Sequence, residues 1–262
     1  MTTSDRIARP DYGIDAPGLV RKMFLGGTGA LLFLLPAAFG FWPGRFWGVL
    51  LAALLLVCAA YLLGMGCLML YSSRVSKLRE REQLLDFISL SGREHILDVG
   101  CGRGLMLVGA AKRLRDGKAV GIDLWQAEDQ ADNRPDAALN NARLEGVAER
   151  IEVQTADMRQ LPFPDQSFDA VVSHWAVHNL RKAEERARTL AEMHRVLKPA
   201  GQVVLADIEH DAEYAAGFAR LGFTDIQHVG ASWQTAFLSA VSFGSFCPTA
   251  VFARKSVTQS IC

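Results

Sequence analysis

Ile96-Leu97-Asp98-Val99-Gly100-Cys101-Gly102-Arg103-Gly104 is a short β-prone run that feeds directly into a Gly-x-Gly-x-Gly loop. Glycines at this spacing let a backbone turn sharply and lie against a flat ligand that a Cβ would push away. Leu105, Leu107, Val108, Ala111 and Leu114 follow with the spacing of one helix face. Lys112, Arg113 and Arg115 gather at the end of that helix, and Gly117 stops it. The unit is therefore strand, glycine loop, helix. A dinucleotide fingerprint would place its third glycine at position 105, where this chain has Leu105, so the spacing argues against NAD. Lys118 to Asp123 reads as a second strand ending in an acid, whose carboxylate can accept hydrogen bonds from both hydroxyls of a ribose.

With the strand, the GCGRG loop and Asp123 at this separation, the segment resembles the class I S-adenosylmethionine-dependent methyltransferases. Ala156-Asp157-Met158, the run from Leu161 to Asp169 (LPFPDQSFD) and the run from Glu192 to Pro199 (EMHRVLKP) look like the branch that includes the quinone-biosynthesis and sterol methyltransferases. The likeness covers residues 84–207 and, more loosely, continues to 255. It implies an α/β fold, a Rossmann-like seven-stranded sheet with helices on both faces, whose last strand (Pro248 to Arg254) lies antiparallel beside the fifth. The implied cofactor is S-adenosylmethionine, with contacts from Asp98, Gly100, Cys101, Gly102, Gly104, Asp123, Leu124, Asp157, Met158 and Ser173. Asp157 would sit near the adenine amino group and Met158 against the ring, a methionine that core packing would also explain. Cys101 is expected to pack its small side chain beneath the cofactor. Ala200 departs from the pattern, since relatives have a further glycine there. These motifs specify the cofactor and leave the acceptor open.

Composition narrows the rest. The 262 residues hold 28 basic and 28 acidic side chains, so no basic surface points to a nucleic-acid partner. The five cysteines are odd in number and lack C-x-x-C spacing, which reads as free thiols in a reducing compartment and gives no metal site. Half of the chain is hydrophobic, and the excess lies at one end.

Residues 1–22 are polar and include Arg6, Arg9, Arg21 and Lys22. From Met23 to Gly44 and from Phe46 to Ser73 the chain has no formal charge, with Arg45 between. A helix rises about 1.5 Å per residue, so each run can cross a hydrocarbon layer of about 30 Å. The expected organisation is a cytoplasmic segment (1–22), a two-helix transmembrane hairpin (23–73) and a catalytic domain (74–262). Phe41, Trp42, Phe46 and Trp47 flank the turn, as interfacial aromatic rings do. A signal peptide and a buried helical hairpin are the competing readings. The immediate second apolar run opposes the first, and Pro36 with Gly26, Gly27 and Gly29 opposes the second. Basic residues before the first run and after the second (Arg74, Lys77, Arg79, Arg81) place both termini and the catalytic domain in the cytoplasm. On this division, removing residues 1–72 leaves a soluble domain that still binds the cofactor.

Arg74 to Leu90 suits a linker helix docking through Leu84, Leu85, Phe87 and Ile88. Residues 124–133 form a polar connection that is either a lid or a solvated loop, and Trp125 within it either covers the ligand or fills core. In open α/β sheets ligands bind beyond the carboxyl ends of strands, which singles out the stretch from Ser173 to Leu180 (SHWAVHNL). Methyl transfer is an in-line displacement in which positioning supplies roughly 7 to 11 kcal/mol. A general base is required only when the attacking atom carries a proton, and then adds about 10²- to 10⁴-fold. His178 and, after it, His174 are the catalytic candidates, each with a structural reading beside it. His210 also lies past a strand end. Trp125, Asp129, Trp175 and Asp207 are the acceptor-side candidates. The functional expectation is a bilayer-anchored methyltransferase acting on a small lipophilic acceptor such as a quinone precursor or sterol-like lipid. The alternative is a membrane-tethered S-adenosylmethionine-binding protein without transferase activity.

Overall fold

The described residues form seven strands: β1 (His95–Val99), β2 (Lys118–Asp123), β3 (Ile151–Thr155), β4 (Phe168–His174), β5 (Leu197–Asp207), β6 (Phe223–Val229) and β7 (Thr249–Lys255). The computed structural model describes residues 9–38, 44–126, 132–230, 240 and 249–257. Asp129, Phe41, Trp42, Cys247, Cys262 and residues 127–131 of the expected lid lie outside the described residues.

The strands form one sheet in the order β3-β2-β1-β4-β5-β7-β6. Pairing is parallel from β3 to β5, while β7 is antiparallel to both β5 and β6. The central strands are almost wholly buried, as continuous apolar runs demand, whereas β3 and β6 at the edges expose much of their length. One face is covered by α4 (Lys77–Asp86), α5 (Leu105–Arg113) and α6 (Pro135–Leu144), with Leu84, Leu85, Met106, Leu107 and Ala142 meeting Ile96. The other is covered by α7 (Ala183–Val196) and α8 (Asp211–Arg220), with Leu190, Met193, Tyr214 and Phe218 meeting Leu97 and Val99. Ile96 and Leu97 go to opposite cores because strand side chains alternate. After β1 the chain moves to β2 and β3 on one side and then returns to β4 on the other. The crevice at such a reversal is where open sheets hold ligands.

β5 starts at Leu197, and its pairing with β4 slips between Phe168 and Ala170. Ala200 sits inside this irregularity at φ 63°. A glycine would adopt that conformation freely, whereas alanine meets a cost of about 1 to 2 kcal/mol.

Contacts divide the chain into two units. The larger contains the sheet, its helices and the chain up to Tyr12; the smaller is built on Gly13–Lys77. Tyr12 is 5% exposed and belongs to the core around α4 and α5. Tyr12, within the expected segment 1–22, thus docks on the catalytic unit.

In the smaller unit α1 (Pro17–Leu32) and the four-residue α2 (Leu35–Ala38) replace the first expected span. Pro36 has no N–H to give to the turn before it, so the helix breaks ahead of it. The sixteen residues of α1 reach about 24 Å, short of a hydrocarbon layer. A pair of full spans is thus not seen. Among the described residues one helix is long and apolar enough to cross a membrane, the stretch Phe46–Asp86. It runs through α3 (Arg45–Tyr71), a π-helical turn (Ser72–Ser76) and α4. The outer flank of α3 is bare: Trp47, Val49 and Val57 are each more than 60% exposed. α1 packs on α3 through small residues, since a Cβ at Gly27 would lie 2.7 Å from Leu63 Cγ and one at Gly66 would lie 3.0 Å from the Phe24 ring. At the base of this pair Lys77, 2% exposed, donates to the Asp15 carboxylate (3.1 Å) and the Gly13 carbonyl (2.8 Å).

Candidate active site

The glycine loop is shaped by positive φ at Gly100 (74°), Gly102 (50°) and Gly104 (83°). The Gly100 and Cys101 amides both donate to the Ile122 carbonyl at 2.9 Å, which fastens the turn to β2. A Cβ at Gly100 would lie 2.2 Å from Ala176 Cβ, so the loop approaches the β4 connection as closely as backbone allows. Met158 Cε lies 3.6 Å from the same point, which puts this methionine beside the cradle. The Cys101 thiol packs over β2, 2.7 Å from where a Gly121 Cβ would be. Burial pushes its pKa well up, so it is a packing thiol and no nucleophile.

Two acids lie at the ends of β1 and β2. Asp98 is 2% exposed, and neither carboxylate oxygen has a hydrogen-bond partner among the described residues. Burial raises its pKa to about 7, with the nearby Asp123 charge adding to the rise. Asp123 accepts from the Gly102 amide (2.8 Å) and the Trp125 amide (2.6 Å). An orphaned buried carboxylate beside a glycine cradle and a second acid suits a ligand that brings positive charge and hydroxyl donors. S-adenosylmethionine, with its sulfonium, ammonium and ribose hydroxyls, fits that donor set.

Asp98 gives a first prediction. Its folded pKa lies above the unfolded carboxyl value, so the empty protein holds the extra proton between about pH 4 and 7 and loses stability as pH rises through that window. Asp98→Asn removes this contribution. The difference between wild-type and variant melting temperatures is expected to widen from pH 5 to pH 8, while the variant binds S-adenosylmethionine at least tenfold more weakly. Parallel melting curves with unchanged affinity would exclude the assignment.

Trp125 is expected on the acceptor side. Its indole donates to Thr155 Oγ1 (2.8 Å) at the end of β3, across β1 from the β4 and β5 ends. Leu124 beside it is exposed. The Asp157 carboxylate is taken up by Arg159 (2.6 Å), which also holds Glu185 (2.8 Å); that hydrogen-bonded pairing keeps the Asp157 pKa low. Ser173 is fully buried, and its hydroxyl donates to the Val99 carbonyl (2.8 Å). It ties β4 to β1.

At the carboxyl end of β4, His174 stacks on Trp175 with ring centroids 4.9 Å apart and an interplanar angle of 14°. Its Nε2 lies 3.4 Å from Glu80 of α4. His178 follows on a short 3₁₀ turn and meets Asp207 at the end of β5. Asp207 is 1% exposed and accepts four hydrogen bonds: from the His178 amide (2.9 Å), His178 Nδ1, the Ile208 amide (2.9 Å) and the Tyr214 hydroxyl (3.1 Å). A carboxylate has about four lone-pair sites, and all are used. Asp207, expected on the acceptor side, thus holds the His178 ring. With Nδ1–H held by Asp207, the lone pair of His178 is on Nε2. Arg186 fixes the setting by donating to the Leu180 carbonyl (2.8 Å) and to Glu213 (2.6 Å). His210, 32% exposed, lies near Glu209 and Glu213. The spacing of α8 marks Tyr214 and Phe218 as core, and no sequence signal pairs Tyr214 with Asp207.

Residues 97–205 match the family model described as a methyltransferase domain. A demethylmenaquinone methyltransferase of Symbiobacterium thermophilum is 37% identical over 131 residues, covering 50% of this chain and 47% of the relative. Sterol 4-C-methyltransferase strm-1 of Caenorhabditis elegans is 28% identical over 127 residues, covering 48% and 35%. The chain spans about half the length of the curated relatives it matches, or less. Among solved structures, the [4+2]-cyclase SpnF superposes with a TM-score of 0.55 at 20% identity, covering 71% of this chain and 82% of that one. Geranyl diphosphate C-methyltransferase from Streptomyces coelicolor A3(2) gives 0.53 at 18%, covering 68% and 78%. Likeness at these identities shows the fold alone. Matched model, glycine cradle and orphaned acid agree: residues 97–205 match a methyltransferase domain, and the site around them suits S-adenosylmethionine as its cofactor.

Proposed function

We propose that this protein is a membrane-anchored enzyme that methylates a small lipophilic acceptor bearing a proton on its attacking atom. The observation that carries the substrate class is the bare apolar flank of α3, where Trp47, Val49, Leu54 and Val57 stand exposed along a helix of transmembrane length. Such a surface is stable in lipid and costly in water. The apolar segment leaves the catalytic unit after Tyr12 and rejoins it at Leu78. Arg74, Arg79 and Arg81 follow α3, and on the basic-residue rule they put the catalytic unit beyond them on the cytoplasmic side. Demethylmenaquinone and sterol methyltransferases among the relatives support an acceptor drawn from the membrane.

S-adenosylmethionine, when bound, supplies an electrophilic methyl group on its sulfonium. Asp98 and Asp123 answer its cationic and ribose groups, and the glycine loop lets it lie against backbone. Met158 lines the adenine side, and Asp157, held by Arg159, shapes the same wall. His178 takes the acceptor proton at Nε2. Asp207 holds the ring in that tautomer and balances the imidazolium that results. The stacked His174 and Trp175 offer a flat apolar surface for the acceptor.

Incubation of the full chain in lipid vesicles with methyl-labelled S-adenosylmethionine and a lipid extract of its host tests this reading. Label is expected in the organic phase, with release of S-adenosylhomocysteine that depends on the extract. Cofactor binding without labelled product would instead establish a tethered binding protein, and label confined to the aqueous phase would overturn the lipophilic acceptor.

A further inference from the structure

We infer that residues 9–12 are a strap that sets the affinity for the cofactor, with Arg103 of the glycine loop as the positioning residue through which it acts. The inference rests on the glycine loop being the cofactor cradle. Arg103 lies between Gly102 and Gly104, and its side chain turns away from solvent, 10% exposed. Its Nε donates to the Asp11 carbonyl (2.8 Å) and its Nη2 to the Asp11 carboxylate (3.0 Å). Asn141 of α6, 2% exposed, closes the ring of contacts. Its amide nitrogen donates to the Asp11 carbonyl and the Arg103 carbonyl, both at 2.9 Å, and its oxygen accepts from the Asp11 amide at 2.9 Å. One residue further along, Tyr12 is sunk in the core; its hydroxyl donates to Glu145 (3.2 Å), and Arg81 lies over its ring.

The arrangement joins the strap to both partners of the loop's second half. Gly104 packs against Ala138 of the same helix that holds Asn141, 3.3 Å from an added Cβ. On the other side of Arg103, the Gly102 amide donates to Asp123, the acid placed for the ribose. A buried guanidinium must keep its partners. Lifting Asp11 therefore leaves Arg103 to seek solvent, and its backbone takes Gly102 and Gly104 with it. Removing residues 1–72 takes residues 9–12 with it and so removes part of the cofactor's support.

The test uses the full chain in detergent micelles with S-adenosylhomocysteine as the probe. Binding energy shared between strap and ligand is reciprocal. Saturating the wild-type protein is therefore expected to slow hydrogen exchange at the Asp11 and Tyr12 amides about tenfold. Arg103→Met, which keeps the apolar stem and loses the donors, is expected to weaken binding about tenfold and to abolish that slowing. Asp11→Ala, at a side chain 76% exposed and so harmless to folding, is expected to cost about threefold. Combined with Arg103→Met it should add nothing, since both act by one route. Exchange unchanged by ligand, or single variants within twofold of wild type, would overturn the strap while the cradle stands. A wild-type protein that binds no S-adenosylhomocysteine would remove the cradle itself.

Discussion

Gly100→Ala is expected to weaken S-adenosylmethionine binding by about a hundredfold while the domain still folds. The new methyl group would sit 2.2 Å from Ala176 Cβ, and that neighbour is anchored at its own backbone, so neither can swing aside. Overpacking of this kind costs about 1 to 3 kcal/mol. The φ of 74° adds strain of about 1 to 3 kcal/mol for a residue with a Cβ. The total is a large part of a stability of about 5 to 15 kcal/mol, so the variant should fold with a lowered melting temperature and relieve its strain by moving the loop. The amides of Gly100 and Cys101 would then leave the Ile122 carbonyl, and the surface offered to the cofactor would shift with them. Ala176→Gly in the same chain removes the clash and leaves the φ strain. The double variant should regain about tenfold of the lost affinity. Calorimetry with circular dichroism as the folding control reads both. Unchanged binding by a folded Gly100→Ala protein would show that the ligand does not lie on this loop.

The cofactor half of the site was legible from sequence because its devices are local. A glycine loop after a strand, an acid at the next strand end and a run of matching motifs each lie within a few residues, so spacing alone exposes them. The sheet was legible for the same reason, including the antiparallel last strand that the resemblance implied. What sequence could not show is long-range. Nothing near Asp207 says that four donors close on its carboxylate, or that Tyr214 is one of them. Nothing near Arg103 says that Asp11, far away in the chain, holds it. Strand-end position gives no direction either: the Ser173 hydroxyl turns to β1 and the Trp125 indole towards β3. The first apolar run looked long enough to span because composition ignores where Pro36 breaks it.

His178→Ala is expected to lower turnover by about 10²- to 10⁴-fold, the range a positioned general base supplies, while cofactor affinity stays within about twofold. The separation follows from placement. His178 and Asp207 lie at the ends of β4 and β5, whereas the glycine loop and Asp123 lie at the ends of β1 and β2. Exogenous imidazole should restore part of the lost rate, because the missing function is a lone pair and not a shape. Tyr214→Phe probes the layer behind. It deletes one of the four donors to a buried carboxylate, costs about 1 kcal/mol in stability, and should slow turnover only a few-fold by loosening Asp207. Asp207→Asn should be far more damaging than Tyr214→Phe. An amide offers one oxygen where two accepted, and whichever way it turns its NH₂ faces a backbone N–H, so at least one buried N–H loses its partner at about 1 to 3 kcal/mol. The His178 ring, no longer held through Nδ1–H, can then present the wrong nitrogen. Initial rates with the identified acceptor, read beside cofactor affinity and melting temperature, decide the matter. A folded His178→Ala protein that turns over at the wild-type rate would make this histidine a structural hydrogen-bonder and leave methyl transfer to proceed by positioning alone.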